Sequence, residues 1–248
     1  MQRFFAAPEQ IDEEHHRIVI TGADVNHIRN VLRMRPGEEL WISDGDKKEY
    51  HCRIESVEDD ILLTILYAQE PQYELPNRIW LFQGLPKGDK MELIIQKAVE
   101  LGACGIVPVE TKRCVMKLDP KRADKKIARW QQIAEGAAKQ SRRMLIPEIR
   151  PVMSWKEALA EAEKLDVILM PYELAEGMEK TRELLRTIQP GQSIGIFIGP
   201  EGGFTEEEVS QAQEAGACTM TLGRRILRTE TAGMAILSIL MFQLETGE

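Results

Sequence analysis

Short runs of alternating apolar and polar residues dominate the start of the chain. Arg17-Ile-Val-Ile20, Glu39-Leu-Trp-Ile-Ser43, Tyr50-His-Cys-Arg-Ile54 and Ile61-Leu-Leu-Thr-Ile-Leu-Tyr67 read as strands. The turn signals Pro36-Gly37 and Asp44-Gly45-Asp46 separate them. Strands this closely spaced predict a small, compact β-barrel. One short helix, about Val25 to Arg33, interrupts them. Pro71-Gln-Tyr-Glu-Leu-Pro76 then brackets a linker, which the pattern predicts as the domain boundary.

Beyond the linker the rhythm changes. Ile79-Trp-Leu-Phe82 precedes a helix near Asp89–Leu101, with an apolar stripe of Met91, Ile94, Ile95 and Ala98. Asp89 and Glu92 there have the spacing of an N-cap and its N3 partner. Strands at Gly105–Val109, Val167–Met170, Ser193–Ile198 and Thr219–Leu222 follow. They alternate with helices near Asp124–Arg143, at Glu179–Ile188, from Thr205 and from Thr229. Strands and helices in alternation imply parallel crossovers, hence an α/β sheet.

Composition narrows the class. The 43% hydrophobic content of the 248 residues supports packed cores, which excludes wholesale disorder. The longest apolar run, Met234 to Phe242, is broken by Ser238 and falls well short of the ~20 residues that span a bilayer. Neither a membrane span nor an export signal is expected. Cys52, Cys104, Cys114 and Cys218 lie far apart without a C-x-x-C pair, so neither a metal site nor a disulfide framework is indicated. The expected setting is the cytoplasm.

The net charge of −8 conceals an asymmetry. Residues 112–150 carry 12 basic and 4 acidic side chains, whereas the segments 1–74 and 151–248 each carry 8 and 16. A local basic stretch in an acidic protein points to a localised polyanionic contact or to a solvated helix face. On a helical wheel Ile127, Trp130, Ala134 and Ala137 share one side. Arg122, Lys125, Lys126, Arg129, Lys139 and Arg143 lie roughly opposite. One face can pack and the other meet phosphates.

Two segments carry candidate chemistry. In Ile198-Gly-Pro-Glu-Gly-Gly-Phe-Thr205 an apolar strand enters a loop of three glycines, and Thr205 with Glu208 has capping-box spacing. Glycines there serve a structural turn or a close backbone approach to a ligand. In α/β sheets such a loop sits where ligands bind. The chain has neither G-x-G-x-x-G nor G-x-x-x-x-G-K-[ST], so no dinucleotide fold or P-loop is supported. The second segment, Leu222-Gly-Arg-Arg-Ile-Leu-Arg-Thr-Glu-Thr-Ala-Gly233, leads into a helix apolar on all sides, which must pack against helices or another subunit. Arg228, at the mouth of that element, is expected to need a carboxylate partner, with Glu201 the candidate. His15, His16, His27 and His51 all precede residue 52, so the C-terminal domain supplies no histidine base.

Gly199–Phe204 and Leu222–Ala232, in that order near the C-terminus, resemble the knotted SPOUT class of S-adenosylmethionine-dependent RNA methyltransferases. More closely, the chain resembles the bacterial 16S rRNA (uracil-N3)-methyltransferase family. Lys87-Gly-Asp-Lys-Met-Glu92, Gln96–Gly102, Arg113-Cys-Val, Lys139-Gln-Ser-Arg-Arg143 and His27–Arg35 extend the similarity over essentially the whole length. The chain departs from the family pattern at Lys112 and Lys139, both of which add positive charge. The resemblance implies a PUA-like RNA-binding barrel over 1–73 and a methyltransferase domain with a C-terminal trefoil knot and parallel sheet over 76–248. It also implies a homodimer acting on 16S rRNA of the small ribosomal subunit, with no metal.

Carried over position by position, S-adenosylmethionine would meet Met170, Ile198, Gly199, Pro200, Glu201, Gly202, Leu222, Gly223, Ile226, Leu227, Thr231 and Ala232. Arg228, Glu201 and Arg113 would serve the chemistry. Arg29, Arg33, Arg122, Lys125, Lys126, Arg129, Gln140 and Arg143 would meet RNA. A non-catalytic RNA-binding protein would share the barrel and the basic helix but need no pair of Gly-containing loops.

Overall fold

The computed structural model describes residues 1–175 and 177–245. The chain divides into two compact units. The first comprises Met1–Glu74 and Ala138–Ile146, the second Leu75–Ala137 and Pro147–Glu248.

The first unit is built on a six-stranded sheet: β1 (Arg3–Phe5), β2 (Ile11–Asp12), β3 (Arg17–Ile20), β4 (Glu39–Ser43), β5 (Glu49–Val57) and β6 (Ile61–Gln69). The spatial order is β1-β4-β5-β6-β3-β2. Only β1 and β4 run parallel; the other neighbours are antiparallel. The sheet curls until Phe4 of β1, at one end of that order, and Ile18 of β3, next to the other end, share one core with Leu40, Ile54 and Ile61. Among the described residues no ladder joins β1 to β2, so the expected barrel is a curled open sheet. The expected short helix comprises α1 (Ala23–Asn26) and a π-helical turn, His27–Val31. Arg33 just beyond has φ 54°, a left-handed conformation that ends the helix.

The second unit holds a seven-stranded parallel sheet with helices between its strands. In chain order these are β7 (Arg78–Gly84), α2 (Lys90–Glu100), β8 (Ala103–Glu110), α3 (Pro120–Ser141), β9 (Glu148–Ile149), β10 (Met153–Ser154) and α4 (Trp155–Ala162). Then come β11 (Val167–Pro171), α5 (Met178–Arg186), β12 (Ser193–Ile198), α6 (Glu206–Glu214), β13 (Cys218–Met220) and α7 (Thr229–Leu244). The strand order is β10-β8-β7-β12-β11-β13, with β9 alongside β8. Central strands flanked on both sides read as unbroken apolar runs, as Ile194, Ile196, Phe197 and Ile198 of β12 do. Phe82 stacks on Phe197 at 4.6 Å between ring centroids, which locks β7 to β12.

Two local expectations need correction. Asp89 does cap α2 in position, but its side chain makes no capping hydrogen bond; the main-chain carbonyl receives Glu92 N–H instead, at 3.0 Å. The Asp89 carboxylate is 87% exposed and lies 3.6 Å from Lys126 Nζ, a better partner for a charge on the surface. Helix α3 starts earlier than expected, at Pro120, because Asp119 accepts a hydrogen bond from Arg122 N–H at 3.0 Å. Proline at the first helical position loses nothing by lacking an N–H.

Candidate functional site

The site is assembled at the carboxyl ends of β11, β12 and β13, beside the first turn of α7. The loop leaving β12 is shaped by Gly203, at φ 66°, whose N–H donates to the Pro200 carbonyl at 2.9 Å. A side chain at Gly199 would bring its β-carbon to 3.1 Å from the Gly203 backbone, so the turn closes only around glycine. The expected capping box forms. Thr205 Oγ1 accepts from Glu208 N–H, and the nearly fully buried Glu208 carboxylate accepts from Thr205 N–H at 2.8 Å. Glu208 also accepts from Lys112 N–H at 2.7 Å, which ties in the segment after β8.

The second loop, residues 221–228, turns at Gly223, φ 114°. Thr181 of α5 anchors its start: its hydroxyl donates to the Thr221 carbonyl and accepts from Thr221 N–H. Thr229 Oγ1, at the start of α7, donates to the Gly199 carbonyl at 2.6 Å and accepts from Gln83 Nε2 at 2.9 Å. One hydroxyl thus joins β7, the first loop and α7.

Between the loops lies a cavity of about 390 Å³. Of the residues singled out for cofactor contact, it is lined by Ile198, Gly199, Pro200, Glu201, Leu222, Gly223, Ile226, Leu227 and Ala232. Arg228 lines it as well. Met170 is fully buried and Thr231 is exposed; neither they nor Gly202 line the cavity. Lys90, Tyr172, Glu173 and Phe204 line it without having been singled out. Lys90 stood inside a recognised motif, but only folding brings it beside a loop more than a hundred positions away.

The charged groups depart from expectation. Arg228 is exposed, and among the described residues its guanidinium makes no ion pair or hydrogen bond. Glu201 is not its partner. Lys90 Nζ holds Glu201 Oε1 at 2.7 Å, and Lys87 N–H lies 3.2 Å from both carboxylate oxygens. Burial pushes the Glu201 carboxyl up, but Lys90 and the backbone N–H donors outweigh it and hold the group below its ordinary value. Lys90 is raised by its bond to Glu201, against desolvation and the nearby Arg228 charge. The same ammonium lies 3.7 Å from Glu230 Oε2. Arg113 lies outside the cavity lining; its Nη1 donates to the Gly202 carbonyl at 2.8 Å and braces the loop from behind.

The basic helix divides in two. Arg122, Lys125 and Arg129 are exposed and Lys126 half-buried, while Trp130, Ala134 and Ala137 are buried as expected. Arg143 does not belong to the exposed face. It is 4% exposed and donates through Nε and Nη2 to Glu74, whose carboxylate also receives Met144 N–H at 2.8 Å. Buried and paired with one carboxylate inside the first unit, this guanidinium does not present itself to a phosphate in solvent. Lys139 is likewise occupied, bonded to Asp24 at 2.9 Å. Gln140, Arg29 and Arg33 are exposed, and Arg29 Nη1 donates to the Glu58 carbonyl at 2.7 Å. Among the described residues no cluster of three or more His, Cys, Asp or Glu could hold a metal ion, and no helix is long and apolar enough to cross a membrane.

A parallel sheet with two Gly-containing loops closing one cavity, together with a curled sheet rich in β-structure, defines a class. The RNA methyltransferase domain model matches residues 73–241, and the RNA methyltransferase PUA domain model matches residues 20–66. Ribosomal RNA small subunit methyltransferase E of Bacillus subtilis (strain 168) is 40% identical, covering 99% of this chain and 98% of that protein. Its namesake in Mesomycoplasma hyopneumoniae is 34% identical, over 96% and 98% of the two chains. The crystal structure of the Neisseria gonorrhoeae ribosomal RNA small subunit methyltransferase E, bound to S-adenosyl methionine, superposes with a TM-score of 0.84 at 36% identity and 98% coverage of each chain. The chain belongs to the ribosomal RNA small subunit methyltransferase E family.

Proposed function

We propose that this protein transfers a methyl group from S-adenosylmethionine to N3 of a uridine in 16S rRNA of the small ribosomal subunit. The observation that carries the reading is the cavity between the two loops, with the unpaired Arg228 guanidinium at its wall. The cavity fits the cofactor. Its volume lies within the range of ligand sites, roughly 300–1,000 Å³. Ile226 and Leu227 line it, and among the described residues their peptide N–H groups make no hydrogen bond within the protein. Such free donors and acceptors can read the edge of an adenine, while Ile198, Leu222 and Ala232 offer it apolar surface. Relatives of the same family, one solved with the cofactor, support the assignment.

When bound, S-adenosylmethionine supplies an electrophilic methyl group on a sulfonium. Formation of the N3–CH3 bond would break the S–CH3 bond, leaving S-adenosylhomocysteine, and release the N3 proton to solvent; N3 is a poor nucleophile until negative charge can develop on the ring. A guanidinium held at the cavity wall and free of carboxylates meets that need, because it stays charged and donates in a planar fork. Arg228 is that group. Glu201, bonded to Lys90 and the Lys87 amide, and Arg113, bonded to Gly202, hold the first loop in shape.

The reading extends to partners. Arg29, Arg33, Arg122, Lys125, Lys126, Arg129 and Gln140 would meet RNA, chiefly its phosphates. The domains would be a PUA-like unit over 1–73 and a methyltransferase unit over 76–248, the latter knotted through its C-terminal loops. Ile239 and the 87% exposed Phe242 leave α7 with an uncovered apolar side, which supports a homodimer. The protein would act in the cytoplasm, where its RNA is assembled.

Mass spectrometry of rRNA from a strain lacking the protein tests the reading. Loss of 3-methyluridine from 16S rRNA, restored by the wild-type protein, is the expected result. An unchanged 3-methyluridine content would overturn it.

A further inference from the structure

The charge pattern around the cavity has one feature that methyl transfer alone does not require. Glu201 and Arg228 both line the cavity, yet they do not pair. Lys90, from the first turn of α2, takes up Glu201 at 2.7 Å and stands 3.7 Å from Glu230, whose Oε2 is buried without a hydrogen-bond partner. The ammonium, carried by α2, thus meets two further segments, the first loop and the first turn of α7.

We infer that Lys90 is a positioning residue that occupies Glu201 and so keeps the Arg228 guanidinium free for the target base. The inference rests on the proposed function, in which Arg228 stabilises charge on that base. Without Lys90, Glu201 would keep only its bonds to main-chain N–H groups, and the cationic fork of Arg228 would be the stronger partner. Glu230 is the weaker competitor, since groups two residues apart at a helix start do not face each other. An Arg228 captured by Glu201 would face a carboxylate instead of the substrate, and the chemical step would slow without loss of the cofactor cavity.

The test uses the full-length protein, S-adenosylmethionine and small-subunit RNA under single-turnover conditions. Lys90→Met should lower the rate of methyl transfer about fivefold, the population factor expected of a partly exposed ion pair. Because Lys90 lines the cavity, the rates are compared at saturating cofactor, where Lys90→Arg should retain most of the rate. The decisive variant is Lys90→Met combined with Glu201→Gln. With no carboxylate left to capture Arg228, it should be faster than Lys90→Met alone by about threefold. If Lys90 merely tied the loop to α2, the double variant would be as slow as the single one or slower, and the inference would fall. A wild-type rate for Lys90→Met would overturn it equally. Should the methionine variant not fold, Lys90→Gln carries the same pair of readings. Failures of the underlying reading show elsewhere, as a wild-type protein that methylates nothing or an Arg228→Ala variant at full rate.

Discussion

Gly84 at the end of β7 faces Pro200 so closely that a β-carbon on residue 84 would lie 2.6 Å from Pro200 Cδ and 2.8 Å from its backbone nitrogen. The obstacle is a proline ring and main chain, neither of which can swing away. Gly84→Ala should therefore displace the first loop, with the overpacking cost of about 1–3 kcal/mol. Thermal unfolding should show the loss, and calorimetry should show weakened S-adenosylmethionine binding. An unchanged melting temperature would mean that the crossing is looser than this geometry.

Among the described residues Arg228 has no partner, so its removal should cost little stability and much activity. Arg228→Ala is expected to slow methyl transfer by roughly 10²–10³, the effect of deleting a transition-state donor. Arg228→Lys should recover little, because a point charge lacks the fork. A variant that melts early but turns over normally would make the arginine structural.

Arg143 should behave in the opposite way. Its fork is filled by Glu74 in a largely buried pair, so Arg143→Ala strands a carboxylate and should destabilise the protein by about 3–5 kcal/mol. The salt dependence of RNA binding should not move. Reversing Arg122 and Lys125 should do the converse, leaving stability nearly unchanged. Each lost phosphate contact should flatten the slope of log K against log[salt] by roughly 0.7–0.9. Filter binding across a salt series separates the two cases.

The carboxyl of Glu201 is held below its ordinary value of 4.5. A lowered carboxylate contributes stability that is present above 4.5 and is lost as the pH falls through the folded value. The stability difference between wild type and Glu201→Gln should thus be constant near neutrality and shrink at pH values below 4.5. A difference that persists unchanged in acid would mean that Lys90 does not stabilise the ionised form.

Phe242 gives the last test. If α7 seats a second copy as proposed, replacing this exposed ring by aspartate should leave the fold intact and shift sedimentation from dimer towards monomer. A variant that sediments as the wild type does would place the partner surface elsewhere.

Local periodicity and local chemistry were legible along the chain. The alternation of β7 to α7 follows from short unbroken apolar runs for the strands and, for the helices before α7, stripes of period 3.6, which are set within a few neighbouring residues. The capping box of Thr205 and Glu208 was legible because both of its bonds close over three positions. The two loops were legible because tight turns there tolerate only glycine. Pairing of charges was not legible. Nothing near Glu201 in the chain distinguishes Lys90, 111 positions away, from the closer Arg228; the packing of α2 against β12's loop decided it. Arg143 reads as one more cation on a basic helix until Glu74, 69 positions away, closes over it. The same contacts assign the end of α3, from Ala138, to the first unit, although the helix itself runs unbroken in the pattern. Helical periodicity says which residues share a face, but only the tertiary structure says what that face meets, because a charge selects its partner by distance and burial and not by spacing along the chain.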